Sequence, residues 1–161
     1  MTELIIAVFD RAQTSYLARA ALGRMQSDLA LRDEDLVVVT RDEVGKVILC
    51  EPHGVRDAGA QEMHETFWNT LVSLLVTPRT SARADRKAAS AKLAAIGIDA
   101  TCNLCFDQHF QAGSSALFVL IDGPTMRDQV VGVLNGFSGK VMQNALKSDD
   151  RENWLRVMSG A

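Results

Sequence analysis

Leu117-Phe118-Val119-Leu120-Ile121-Asp122 is the stretch that decides the fold, because an apolar run of this length that ends in a polar residue is typical of a buried central strand. The same arrangement occurs near the start of the chain, where Ile5-Ile6-Ala7-Val8-Phe9 runs into Asp10. Each run is followed by an amphipathic helical segment, at residues 16–29 and 126–137, and then by a second strand. The order strand, helix, strand predicts a right-handed crossover in each half of the chain.

The segments around these two units predict further elements. The second strands are expected at residues 36–39 and 141–146, and the turn-rich segment 41–46 followed by Val47-Ile48-Leu49-Cys50 predicts a hairpin with an extra strand. Helical periodicity and capping residues predict helices at 61–76, 80–95, 100–111 and 148–158. We therefore expect an α/β (α+β) protein, a ferredoxin-like sandwich built from two βαβ units with an extra hairpin strand and an inserted helical region.

A single domain is expected over residues 1–161, because a chain of 161 residues can bury one core. Within it, residues 1–50 hold the first βαβ unit and the hairpin strand, and residues 61–111 form the helical insertion. Residues 114–147 hold the second βαβ unit, and residues 148–161 the C-terminal helix.

The composition is that of a soluble globular protein. A net charge of −3 provides no general attraction for polyanions, so nucleic acid is not expected as a partner. Three cysteines form an odd set, and the start of the chain does not resemble a signal peptide, which favours a cytoplasmic protein with reduced thiols. The most apolar window, residues 67–76, is too short to cross a bilayer, which takes about 20 residues.

Cys102 and Cys105 have the spacing of a metal or redox motif, and His109 follows them on the same predicted helical face. A metal ion would need a fourth ligand, for which Cys50, His53 and His64 are the candidates. A single CxxC motif is weak evidence, because structural zinc sites normally have a second pair of ligands. Cys102 can equally be a buried cysteine that packs as a small hydrophobic residue.

Asp10 and Asp122 end equivalent strands, and these two central strands are expected to run antiparallel. The two carboxylates should therefore lie at opposite ends of the sheet, too far apart for an acid/base pair, and should face the helices that follow them. The sequence shows no nucleophile elbow and no phosphate-binding loop. We therefore predict no catalytic residues and no cofactor, and we favour a role other than catalysis.

Apolar residues occur on what looks like more than one side of the predicted helix 61–76. Such a helix is buried on several sides, which indicates a subunit interface and a homodimer, although an ordinary monomer core is the alternative. The predicted interface residues are Phe67, Trp68, Leu71, Val72 and Leu75, together with Trp154 of the C-terminal helix.

A basic segment follows the apolar helix and contains Arg79, Arg83, Arg86, Lys87 and Lys92. Such a segment is usually a solvated helix face. Together with the apolar residues before it, it allows a second hypothesis, in which the 67–92 segment attaches the protein to an anionic membrane surface without spanning it.

Several short motifs resemble one known family. They are Glu3–Asp10, Glu34–Asp42, Phe67-Trp68, Gly97-Ile98-Asp99 with Gly113–Leu120, and Gly136–Val141. In this order they are similar to the bacterial domain of unknown function 1269 family (DUF1269), and the resemblance covers nearly the whole chain. It implies a fold but no catalytic residues.

The resemblance fails in the middle of the chain. Members of this family usually continue from the Trp segment into a long apolar stretch rich in glycine and alanine, which explains the frequent label of predicted membrane protein. Here Asn69-Thr70-Leu71 and the charged segment 79–92 replace that stretch.

Together these observations predict a non-catalytic, oligomeric binding or interaction module. A metal- or thiol-dependent protein that uses Cys102, Cys105 and His109 is the first alternative, and a membrane-peripheral protein is the second.

Overall fold

The computed structural model of the chain describes residues 2–25, 35–50, 58–76, 83–147 and 151–159. The strands are β1 (Thr2–Phe9), β2 (Leu36–Arg41), β3 (Val47–Cys50), β4 (Ser115–Asp122) and β5 (Lys140–Ala145). The helices are α1 (Thr14–Arg24), α2 (Ala58–Leu75), α3 (Arg83–Ile96), α4 (Ala100–His109), α5 (Pro124–Gly136) and α6 (Arg151–Ser159).

The strands form one sheet in the order β3-β2-β4-β1-β5, and all four neighbouring pairs are antiparallel. β1 and β2 are consequently parallel to each other with β4 between them, and β4 and β5 are parallel with β1 between them. Two interleaved βαβ units of this kind are the ferredoxin-like arrangement, with β3 added at one edge. The predicted α+β fold and the predicted hairpin strand are therefore confirmed.

One face of the sheet is covered by α1 and α5, the helices of the two βαβ units. Ala18 and Leu22 of α1 and Val130 and Leu134 of α5 pack on alternate residues of the central strands. These strand residues are Ile5, Ala7, Phe9, Leu36, Val38, Leu117, Val119 and Ile121, all of them buried. This layer is the ordinary consequence of the two crossovers.

The opposite face is covered by the insertion and the C-terminal helix, so the protein has three layers. The helices α2, α3, α4 and α6 bury the remaining alternate residues of the sheet, among them Leu4, Ile6, Val37 and Phe118. A strand that is buried on both faces must be apolar at every position, which explains the continuous apolar runs of β1 and β4.

Two local predictions need correction. The sequence predicts a first helix that runs to residue 29, whereas α1 ends at Arg24; the other helix ends lie within three residues of the predicted ones, which is usual. Asp10 and Asp122 do lie at opposite ends of β1, since Asp122 pairs with Thr2 and Phe9 with Ser115. However, neither aspartate is the N-cap of the next helix, because Gln13 and Gly123 take those positions, without a side-chain hydrogen bond.

Gly97 is the point at which α3 passes the end of β5. Its φ is +114°, and a Cβ atom there would lie 2.5 Å from the backbone oxygen of Ala145. The backbone N–H of Lys147 donates to the carbonyl of Ile96 at 3.0 Å, which holds the two segments together. Only glycine fits both the backbone conformation and the space.

We expect Gly97→Ala to lower the free energy of unfolding by about 2 kcal/mol, because the new methyl group meets backbone and φ is positive. Urea denaturation monitored by circular dichroism measures the loss. Gly132→Ala is the matched control, since Gly132 lies within α5 and a Cβ atom there would have no neighbour within 4 Å, and it should stabilise by about 0.5–1 kcal/mol. Equal effects of the two substitutions would contradict this account of Gly97.

Candidate functional site

The turn between β2 and β3 is held by one carboxylate. Oδ1 of Asp42 accepts hydrogen bonds from the backbone N–H groups of Lys46 at 2.7 Å and Val44 at 3.1 Å. The N–H of Asp42 donates to the carbonyl of Lys46, and Gly45 takes the positive φ of +90° that this turn requires. The hairpin therefore has a defined conformation that its own sequence specifies.

The base of the hairpin is anchored by Arg41, the last residue of β2. Its Nη1 donates to the carbonyl of Phe110 at 2.8 Å, and its guanidinium carbon lies 5.0 Å from the centre of the Phe110 ring. Its backbone N–H donates to Ser114, and its carbonyl accepts from Gly113. A hydrogen bond and a cation–π contact thus connect the hairpin to the end of α4.

β3 forms one edge of the sheet. Val47 and Leu49 are partly buried against the core on the side of α2, α3, α4 and α6. Ile48 is 42% exposed and Val44, at the tip of the turn, is 89% exposed. Over the described residues β3 pairs with β2 alone, and no described strand bonds to the backbone groups on its other side. An edge of this kind is a template for binding another strand.

The three residues of the predicted metal site do not form a cluster. Cys102 is buried, and Nδ2 of Asn144 donates to its Sγ at 3.2 Å. His109 is exposed at the end of α4, where its Nδ1 lies 2.8 Å from the carbonyl oxygen of Cys105 and 3.7 Å from the Sγ of Cys105. Within the described ranges, no group of three His, Cys, Asp or Glu side chains could hold a metal ion.

Cys102 behaves as a core residue, as the alternative prediction has it. Burial raises the pKa of its thiol from 9.0 to about 11, although the hydrogen bond from Asn144 opposes this shift. The possible fourth ligand His53 and the side chains of Cys50 and His64 lie outside the part of the chain that the structure describes.

The predicted interface residues lie in the core of the single chain. Phe67, Trp68, Leu71, Val72, Leu75 and Trp154 are each at most 3% exposed. The ring centres of Phe67 and Trp154 are 5.6 Å apart, and that of Trp68 is 6.1 Å from that of Phe118 in β4. The chain's own sheet and helices cover these residues, so they supply no reason to expect a partner.

The buried residues of α2 lie on one wide face of the helix, and their role in an interface stays a prediction. Positions 67, 68, 71, 72 and 75 form one broad arc of a helix with 3.6 residues per turn, while Asn69 and Ser73 are exposed on the other side. One wide face is enough to pack against both a sheet and a neighbouring helix. Oligomerisation itself stays a prediction.

The comparisons with known proteins give a family. Residues 63–159 match the sequence model of the family described as Protein of unknown function (DUF1269), which is more than half of the chain. The chain belongs to the DUF1269 family. No curated protein and no solved structure has significant similarity to it.

The structure gives the positions of several residues on which the membrane hypothesis depends. The apolar residues of α2 that the membrane hypothesis requires are buried in the core, and of the basic residues that follow, Lys87 is exposed and Lys92 is partly buried. Arg79 and the side chains of Arg83 and Arg86 fall outside the described residues. No helix in the described part of this DUF1269 protein is long and apolar enough to cross a membrane.

Sequence reasoning missed Arg41 and Ile48 as site residues. The available signal was the composition of β3, where Val47-Ile48-Leu49 lacks the charged or proline residues that usually protect an edge strand. Arg41 carried no signal, because its contact with Phe110 joins residues that are far apart in the sequence.

We expect Asp42→Ala to loosen the hairpin, because it leaves two backbone N–H groups without their acceptor, at a cost of about 1 kcal/mol. Amide hydrogen exchange at Lys46 should become faster. Asp42→Asn retains a side-chain acceptor oxygen and should change the exchange much less, and Glu43→Ala, at the exposed neighbour, serves as the second control. Unchanged exchange in Asp42→Ala would show that the turn does not depend on this carboxylate.

The raised pKa of Cys102 predicts a pH dependence of stability. Between the unfolded pKa of 9.0 and the folded pKa of about 11, the unfolded state loses the thiol proton first, so the free energy of unfolding should fall as pH rises. The maximum loss is about 2–3 kcal/mol at 1.36 kcal/mol per pKa unit.

Denaturation of wild type, Cys102→Ala and Cys105→Ala at pH 8 to 11 isolates this contribution. Cys102→Ala should have a smaller decline in stability over this range than wild type. Cys105→Ala should decline as steeply as wild type. Identical declines in all three proteins would refute the assignment to Cys102.

Proposed function

We propose that this DUF1269 protein is a non-catalytic interaction module that binds another polypeptide chain along the free edge of β3. The observation that carries the proposal is the combination, in β3, of an edge to which no other described strand bonds with the apolar side chain of Ile48, which is 42% exposed. Strand addition to such an edge obtains its affinity from main-chain hydrogen bonds and its selectivity from alternate side chains.

The rigidity of the hairpin supports this proposal. Asp42 fixes the turn, and Arg41 ties the base of the hairpin to Phe110. A strand that is already extended and anchored loses little conformational entropy when it binds a partner. β3 therefore already has the conformation that strand addition requires, and it does not have to fold on binding.

The placement of the titratable residues supports a role other than catalysis. Asp10 and Asp122 lie at opposite ends of β1, too far apart to act on one substrate. Nδ1 of His109 lies 2.8 Å from the carbonyl oxygen of Cys105 and 3.7 Å from the Sγ of Cys105, so its shorter contact is with the backbone rather than with the thiol. The cytoplasm is the proposed location, which the free thiols of Cys102 and Cys105 support.

A photoreactive amino acid at position 48 tests the proposal in the native cells. Illumination should join the full-length chain to a polypeptide in a discrete adduct, because a bound strand lies against Ile48. The matched control is position 17, where Leu17 is 58% exposed on α1, outside the β2–β3 hairpin. Adducts of equal yield at both positions, or none at position 48, would refute the proposal.

A further inference from the structure

The hydrogen bonds at the base of the hairpin determine which backbone groups of β3 point outward. Arg41 directs its N–H and carbonyl toward Ser114 and Gly113, on the β4 side. Its partner Val47 must therefore direct its own N–H and carbonyl away from β2, since antiparallel pairs alternate between bonded and non-bonded positions. By the same alternation Ile48 bonds to Thr40, and Leu49 points outward like Val47.

In β3, the backbone N–H and C=O groups of Val47 and Leu49 therefore point away from β2. Those of Ile48, which lies between them, point toward β2. A second β3 that runs antiparallel with Ile48 opposite Ile48 places each Val47 opposite a Leu49. Both of these pairs are bonded positions, so the two strands form four N–H···O bonds. A register centred on Val47 or on Leu49 forms only two bonds within the bounds of β3.

The side chains agree with this register. A twofold axis perpendicular to the sheet keeps the two faces of the sheet aligned, so Val47 and Leu49 of both copies lie on the side of the α2 layer. Ile48 lies on the other face, since its partner Thr40 alternates with Leu36 and Val38, which pack under α1 and α5. The two Ile48 side chains thus meet at the axis, where apolar side chains stabilise a cross-strand pair.

The charges next to β3 also permit self-pairing. Lys46, the residue before β3, falls opposite Cys50 of the other copy, so like charges do not oppose each other in this register. Every group that the interface needs is present in one β3, which makes the surface self-complementary, as a twofold interface must be.

We infer that the polypeptide bound at the β3 edge is a second copy of this chain, paired through Ile48 to make one ten-stranded sheet from two five-stranded ones. This inference rests on the proposed function, since it names the partner of that same edge. The strand is short and the interface small, so the dissociation constant should be on the order of 10 µM.

Analytical ultracentrifugation of the purified full-length chain tests the inference. Wild type should sediment as a dimer at about 100 µM and dissociate on dilution below about 1 µM. Ile48→Lys brings two like charges together at the axis and should raise the dissociation constant at least about tenfold. Leu17→Lys introduces the same charge on the exposed side of α1 and should leave the dimer unchanged. Circular dichroism checks that both variants fold.

Cysteine substitution tests the register. In a background with Cys50→Ser and Cys105→Ser, Ile48→Cys should oxidise to a disulfide-linked species of twice the 17.5 kDa chain mass. Cα atoms at a non-bonded antiparallel pair lie about 4.5 Å apart, which is within disulfide range. Val44 is more exposed than Ile48 but lies away from the axis, so Val44→Cys should form much less of the disulfide-linked species.

A monomeric wild type at about 100 µM, or a dimer that Ile48→Lys does not weaken, would overturn the inference. The photo-adduct at position 48 tests the proposed function separately from the dimer. If the photo-adduct at position 48 has a mass other than that of two chains, the edge binds a different polypeptide and only the identity of the partner is wrong. If no adduct forms at position 48, both fail.

Discussion

The antiparallel pairing of β1 with β4 is the constraint on which the rest of the structure depends. Eight residue pairs, from Thr2 with Asp122 to Phe9 with Ser115, join the start of the chain to a segment more than 100 residues later. Both strands are apolar at nearly every position, so neither of their faces can remain in water. The helices of the βαβ units cover one face, and the insertion with the C-terminal helix must cover the other.

This requirement assigns the insertion the role of covering the sheet, whereas its sequence suggests a surface for a partner or a membrane. Seen alone, the aromatic and aliphatic residues of α2 are more than a helix needs, and a partner or a membrane is an obvious explanation. In the structure they meet Phe118 of β4 and Trp154 of α6, and the excess disappears. Two of the large apolar residues that do remain exposed, Val44 and Ile48, lie at the turn and on the edge strand of the β2–β3 hairpin.

The fold could be predicted because its signals are local. Continuous apolar runs, helical periodicity and the turn residues around Gly45 each identify an element within about ten residues. The candidate site could not, because it depends on contacts between distant segments. Nothing near Arg41 in the sequence indicates Phe110, and the direction in which Val47 points its N–H follows from the bonds that Arg41 makes with Gly113 and Ser114. The surroundings of Cys102 could not be predicted for the same reason, since its burial and its hydrogen bond from Asn144 depend on distant segments.

The strand order also bears on how the family-matched region can be handled as a fragment. Residues 63–159 include β4 and β5 but not β1, which lies between them in the sheet. A chain cut to the matched region would have two strands that are not neighbours, each lacking the partner that satisfies its backbone on that side. The boundaries of sequence similarity therefore do not coincide with a unit that can fold. The first 50 residues supply three of the five strands, including the β1 strand that joins β4 to β5.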